Sequence, residues 1–471
     1  MPSTFLGLET ARRGLQASQV SLETTGHNIA NVNTPGYSRQ NAVLVASTPY
    51  ANPTMSSKLT PGQLGTGVEV NEIRRIRNEY LDTQARDSTS SWGYWQVQED
   101  IFARVEAVFT EPGTTGVGDT LTSFFKAWQD LNNNPQDPGV KAAVAEIGDQ
   151  LANMFREEYQ QLTIVRESAV SQLDSQVNTV NDLLAQIRDV TGAITKVYEQ
   201  GNQPNDLLDK RDYLIDQLAG FGEVSVENIT QNGKPTGEMR LLFNNIDVMS
   251  TTDKFFLKEE DDTVAITFGA NADNSELVYL NQGKGSLDGI NQVLGNIDSY
   301  LGQLVKLTDS LSRVINQALN EGRAEADYID FFQGSLASTN PDDRFRVNPD
   351  ILANPAGSDA AGNLLIDGTK AIDVARLYST GIDELDGATF NEFYNALLSD
   401  VGADYSRFMD MAENQSAINE QLESLRQSVA GVNMDEELSL MLQYQYGYQA
   451  SSRVMTTLDA LLDHLINRTA V

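Results

Sequence analysis

The 471-residue chain contains no cysteine, which removes disulfides, thiol nucleophiles and thiolate metal sites from consideration. Histidine is almost as scarce. His27 and His464 are the only two, one near each terminus, so a two-histidine metal site would need the ends to meet in one particular geometry. Isolated histidines on amphipathic helices are ordinarily polar surface residues, and no metal ligand is expected. Basic residues are also few: 33 Lys and Arg against 66 Asp and Glu give a formal net charge of -33. Such a surface repels polyanions, so neither nucleic acid nor anionic membrane is an expected partner. No stretch approaches the roughly 20 apolar residues of a membrane span, and no membrane insertion is expected. The start, "MPSTFLGLETARRG", lacks the basic segment, apolar run and small-residue cleavage site of a Sec-type signal peptide. Carboxylates abound, yet none is paired with a nucleophile, a phosphate loop or a metal-ligand spacing. Gly62, Gly65 and Gly67 lead into the strand-like alternation of Val68 and Val70, not into a helix. The chain reads as a non-enzyme without a cofactor.

What is present begins with a seven-residue apolar repeat, Leu8, Leu15, Leu22 and Ile29, the spacing of a coiled-coil seam. Ala11, Ser18 and Thr25 beside it are small, so this helix can lie close to another but cannot bury its ridge alone. The pattern stops at "ANVNTPGYSRQ", residues 30–40. Pro35 fixes its own φ and discourages helix at Thr34, while Gly36 supplies the positive φ of a type II turn. Asn28, Asn31 and Asn33 are placed to satisfy freed backbone groups, and the Tyr37 ring to cover the corner. Asn31, Asn33, Thr34, Pro35, Gly36 and Tyr37 make up the candidate turn motif.

A partner for the first helix lies at the other terminus. Asn433 is placed to cap a helix, with Glu436 at the capping-box position. Met434, Met441, Tyr448, Met455 and Leu462 then repeat every seven residues, and Tyr444, Ser451, Leu458 and Leu465 run three behind them. The expected assembly seam is Leu8, Leu15, Leu22 and Ile29 with Met441, Tyr448, Met455, Leu458, Leu462 and Leu465.

Between the termini the period changes twice. Helical spacing from Glu72 includes Leu121, Phe124, Phe125, Trp128 and Leu131, stops at "NNNPQDPG", and resumes as one helix through Val144, Ile147, Leu151 and Met154 and a longer one from Val170 to Ile187. Near Gly220 it gives way to alternation at Val224 and Val226, Met239 to Phe243, and Val264 to Phe268, with turn chemistry at Asn232-Gly233 and Asp261-Asp262. The acidic "KEEDDT" lacks the ligand spacing of a calcium loop and reads as a solvated hairpin tip. Helical spacing returns from Ser286 to about Leu319 and again at Ile418, Leu422, Leu425 and Val429. The basic cluster Arg74, Arg75 and Arg77 is expected to be solvated or paired within the chain. The predicted fold is mainly α with an inserted small β domain: terminal coiled-coil helices plus a discontinuous long-helix bundle, elongated and multidomain. The expected divisions are a terminal axial module (1–45 and 432–471), a helical bundle (46–220 and 286–431) and the β insertion (221–285).

"NIANVNTPGYSRQ" resembles the amino-terminal signature of the bacterial flagellar axial proteins (rod, hook and hook-associated), and its Tyr-Ser-Arg-Gln continuation looks most like the hook-associated protein 1 branch. "FFKAWQDLNNNPQDPGVKAAV" and "NDLLDKRDYLIDQLAGFGEVSV" look like that branch's internal helical domain, and "VNMDEELSLMLQYQYGYQASSRVMTTLDALLDHLINR" is similar to its carboxyl-terminal helix. The resemblance is weakest over 230–280. It implies a structural subunit of the hook-filament junction, exported unfolded by the flagellar type III apparatus and assembled outside the cell. It also implies a homo-oligomer that meets the hook protein and the next hook-associated protein, with an export chaperone on the C-terminal helix. Competing readings are a hook or distal rod protein, which the long helical middle argues against, and a surface adhesin whose β domain binds.

Overall fold

The structure, a computed structural model, describes residues 4–49, 65–109, 116–260, 263–278, 283–359 and 362–467. Helix α1 (Thr4–Ala30) ends five residues before Pro35 and leads into strand β1 (Gln40–Ala46), which pairs antiparallel with β2 (Val68–Arg75). Helix α2 (Glu79–Phe109) starts later than the sequence spacing from Glu72 suggested. Residues 72–75 are still strand, with Ile73 opposite Ala42, and the helix waits for Asn78, whose side chain caps the backbone N–H groups of Tyr80 and Leu81. Next come α3 (Val117–Asn133), α4 (Pro138–Glu199) and α5 (Asn205–Ala219). The two helices expected between residues 144 and 187 are one helix of 62 residues. No glycine or proline interrupts residues 155–169, and the buried Phe155, Leu162 and Ala169 carry the seven-residue repeat across the gap.

The β segment holds two three-stranded sheets. The first orders β3 (Val224–Gln231), β4 (Lys234–Phe243) and β5 (Ile246–Asp247). Asn232 and Gly233, with φ of 54° and 74°, form the two-residue turn between Gln231 and Lys234, the backbone that favours an Asn-Gly hairpin. The second sheet orders β6 (Lys254–Glu260), β7 (Thr263–Asn271) and β8 (Asn274–Leu277). The tip at Asp261-Asp262 lies outside the described residues. Helix α6 (Ser286–Asn320) follows, then a stretch of short elements with β9 (Phe332–Gln333) paired to β10 (Arg346–Val347), α7 (Pro349–Ala353) and α8 (Ala371–Arg376), and finally α9 (Phe390–Ala430) and α10 (Met434–Asn467).

The chain forms two compact units. One comprises Met1–Ser91, Thr179–Lys254 and Ser416–Val471, the other Trp92–Asn178 and Phe255–Gln415. The second unit has an aromatic core in which Phe124 meets Trp128, Phe331 and Phe332, and Phe155 meets Phe345 and Tyr394. Asn316 and Asn320, one turn apart on α6, bond the backbone of Ile329, Phe331 and Phe332 and so hold an extended segment along the helix. The first unit carries the terminal helices, the turn motif and α5.

Candidate assembly interface

In the first unit α1 and α10 pack as an antiparallel pair in a single register. A Cβ placed on Gly7 would lie 3.3 Å from Leu458, one on Gly14 3.0 Å from Ser451, and one on Gly447 3.1 Å from Ser18. Asn28 bonds Glu437 across the same line. In all four pairs the two residue numbers add to 465. The row Gly7, Gly14, Ser21, Asn28 therefore lies level with Leu458, Ser451, Tyr444, Glu437. Glycine inside a helix costs about 1 kcal/mol relative to alanine, and here it admits close backbone approach.

This seam is one row away from the expected one. The buried residues of α1 are Ala11, Ala17, Ser21, Thr24, Thr25 and Asn28, whereas Leu8, Leu15, Leu22 and Ile29 are only half-buried. On α10, Met441, Met455, Leu458 and Leu462 are half-buried and Tyr448 is 37% exposed. Leu458 is used inside the pair, against Gly7. The side chain of Leu465 lies outside the described residues. The missed signal was the glycine spacing Gly7–Gly14, which shares the seven-residue period of the leucines. The 465 register also separates the histidines: His27 is level with residue 438, roughly 40 Å along the pair from His464 at 1.5 Å per residue. His27 instead meets Asp206 at 3.2 Å and the edge of Tyr37.

The joint is a type II turn. Tyr37 N–H donates to the Thr34 carbonyl at 3.2 Å, with Pro35 and Gly36 between them and Gly36 at φ +76°. Asn31 Nδ2 donates to the His27 carbonyl at 3.0 Å and so closes the last turn of α1. Thr34 bonds Asn31 through its backbone and its hydroxyl, and Asn33, Thr34 and Pro35 are exposed. A Cβ at Gly36 would sit 2.7 Å from Tyr213 Cβ of α5, so crowding adds to the requirement for positive φ.

Each residue of the Tyr-Ser-Arg-Gln continuation has a partner. Tyr37 OH donates to Asn28 Oδ1 at 2.8 Å, and burial, with Asp206, Asp209 and Glu437 nearby, pushes the phenol up so that it stays a donor. Ser38 N–H donates to Asp209 at 3.1 Å. Arg39 Nε donates to Glu437 at 2.6 Å and Nη1 to Glu436 at 3.0 Å, while its backbone N–H donates to Ala430 O and its carbonyl accepts from Ile76. Gln40 bonds Asn28 through its backbone N–H and carbonyl, and Asp206 and Asn205 through its side chain. The Asn28 amide thus makes all four of its possible hydrogen bonds. Asn433 caps α10 by accepting from Asp435 and Glu436 N–H, but Glu436 turns its carboxylate to Arg39 instead of closing a capping box.

Behind the joint, α5 presents Asp209, Asp212 and Asp216 on one face. Arg75 bonds Asp209 and Asp212 at 2.8 Å each; Arg77 bonds Asp212 at 3.0 Å and Asp82; Arg86 and Arg426 both reach Asp216. Arg75 and Arg77 of the basic cluster are therefore paired within the chain. Burial opposes ionisation of Asp212, but Arg77, Arg75 and Arg86 outweigh it and hold the carboxyl below its ordinary range. Burial pushes Asp209 up in spite of Arg75 and the Ser38 N–H.

Residues 102–331 match the family model described as flagellar hook-associated protein FlgK helical domain. Residues 8–37, α1 and the turn, match the flagella basal body rod protein model, and residues 426–468, the end of α9 with α10, match the flagellar basal body rod FlgEFG protein C-terminal model. The chain is 28% identical to flagellar hook-associated protein 1 of Bacillus subtilis (strain 168), over 99% of both chains. The likeness to flagellar hook-associated protein 1 thus runs along the whole chain. The Salmonella typhimurium member is 25% identical over 97% of this chain and 98% of its own. The flagellar hook junction protein FlgK from Burkholderia pseudomallei shares the fold, with a TM-score of 0.58 at 13% identity, covering 74% of this chain and 100% of that one. These matches support a structural component of the flagellum that assembles with other flagellar proteins. Among the described residues no helix is long and apolar enough to cross a membrane.

Proposed function

We propose that this protein forms the junction between hook and filament, as a non-enzymatic subunit that packs against further copies of itself, the hook protein and the next hook-associated protein. The observation that carries the reading is the incomplete burial of the terminal pair. Leu8, Leu15, Leu22 and Ile29 on α1, and Met441, Tyr448, Met455 and Leu462 on α10, keep the seven-residue period of a helix seam yet stay half-covered or exposed in one chain. A second layer of helices would remove them from water. Export through the flagellar apparatus, with a chaperone on α10 before assembly, fits a chain whose terminal ridges stay half-covered or exposed in one copy. The terminal module (1–45 and 432–471) is then the axial part.

Deleting the gene in its host should leave hooks that bear no filament and cells that do not swim; normal filaments on the deletion strain would overturn the proposal. A finer test uses Tyr448→Asp and Met455→Asp. Each puts a charge into a surface that assembly would dry, at a cost of several kcal/mol if it stays ionised, while in the free chain the carboxylate still reaches water. The purified variants should melt as the parent does, and complemented cells should secrete the subunit without attaching filaments. Normal motility in both would remove these ridges from the mechanism.

A further inference from the structure

The heptad rows leave one property of the terminal pair undetermined, and one cluster of polar side chains settles it. Slide α1 by seven residues along α10, about 10 Å of axial travel. Gly14 would then face Leu458 and Ser21 would face Ser451, small residues opposite the same partners as before. The ridge Leu8, Leu15, Leu22, Ile29 would again lie beside a row of the same period. The opposite slip sets Gly7 against Ser451 and Gly14 against Tyr444. Packing of small against larger residues is nearly indifferent to these shifts, because the seam repeats itself.

We propose that Asn28, Glu437 and Arg39 form the pin that fixes the register of the two terminal helices, and with it the level at which every ridge residue is offered to a neighbouring subunit. Glu437 is 1% exposed on a helix whose other described side chains are half-buried or exposed. One of its oxygens accepts from Arg39 Nε at 2.6 Å and the other from Asn28 Nδ2 at 3.0 Å. Asn28 is itself held by Tyr37 and by the Gln40 backbone, so it has no freedom to follow a sliding partner. A slip of one heptad would bring Tyr444 to Asn28 and leave a buried carboxylate without its donors. Single polar residues in otherwise apolar seams are the best-attested way of fixing coiled-coil register. Here the pin also sits at the joint: the backbone of Arg39 is bonded to the end of α9 and to the residue after β2, so register and exit from the helix are set by the same residues.

The absence of native cysteine makes the test clean. A Cβ on Gly14 lies 3.8 Å from Ser451 Cβ, within the roughly 3.5–4.5 Å span of a disulfide. In the full-length protein, Gly14→Cys with Ser451→Cys reports the native register, while Ser21→Cys with Ser451→Cys and Gly7→Cys with Ser451→Cys report the two slips. In the parent only the first pair should oxidise efficiently. With Asn28→Leu and Glu437→Leu added, the slipped pairs should gain about tenfold in cross-linking yield at unchanged helix content. If the doubly substituted protein still cross-links only through 14 and 451, the chain connections set the register and the pin is refuted. Should that variant lose helix content, Glu437→Gln decides by the same two outcomes, since it keeps the side-chain volume and removes the charge that holds Arg39.

Discussion

Gly36→Val should destabilise the joint by roughly 2 to 6 kcal/mol, summing the cost of a β-branched residue at positive φ and of an overpacked contact. Two physical constraints coincide at this residue. The turn holds φ at +76°, and Tyr213 Cβ stands 2.7 Å from where a Cβ would be. Asparagine tolerates the backbone angle but not the contact, so Gly36→Asn should be the milder change without being neutral. Adding Tyr213→Gly, which removes that Cβ, separates the two when each double variant is compared with Tyr213→Gly alone. In that background Gly36→Asn should be almost without effect and Gly36→Val should keep part of its cost, as read from hydrogen-exchange protection of residues 28–40. In cells, Gly36→Val should still be exported and should accumulate in the medium instead of at the hook tip. Equal rescue of both variants by Tyr213→Gly would show that crowding alone reserves the position for glycine.

The turn was legible in the sequence because its determinants are local: Pro35 and Gly36 restrict their own dihedrals whatever surrounds them. The long helices and hairpin strands were legible for the same reason, through period. What sequence could not supply was the choice among rows of equal period. Leu8 to Ile29 and Gly7 to Asn28 both repeat every seven residues, and hydrophobicity favours the leucines. Close approach selects the glycines instead, since two backbones meeting at Gly14 and Ser451 leave no room for a leucine. The boundary of α2 was misplaced because Glu72 and Ile73 suit a strand as well as a helix, and the pairing of Ile73 with Ala42 is remote in sequence. The electrostatic support was also hidden. Arg75 and Arg77 could be read as solvated or paired within the chain, but not with which partners; α5, more than 130 residues later, brings Asp209 and Asp212 to them.

That support yields the second large effect. Asp212→Asn should cost about 3 to 5 kcal/mol, the usual penalty for removing one member of a buried ion group, because Arg75, Arg77 and Arg86 would face each other without their shared carboxylate. The loss should show as reduced exchange protection along α5 and at Ser38, whose N–H is bonded to the neighbouring Asp209. The variant should also change the acid response. The folded Asp212 carboxyl titrates below its ordinary 3.8, so its stabilisation is complete above that value and disappears as pH falls through the folded one. Asp209 has the opposite sign. Its folded carboxyl titrates above 3.8, so its unfavourable burial is relieved as the pH drops. In the parent the two oppose each other on acidification; in Asp212→Asn only the Asp209 contribution remains. Denaturant midpoints measured from pH 7 down to about pH 3 should therefore fall less steeply for the variant than for the parent. Parallel curves would mean that the three arginines stabilise Asp212 no better in the folded chain than water does in the unfolded one.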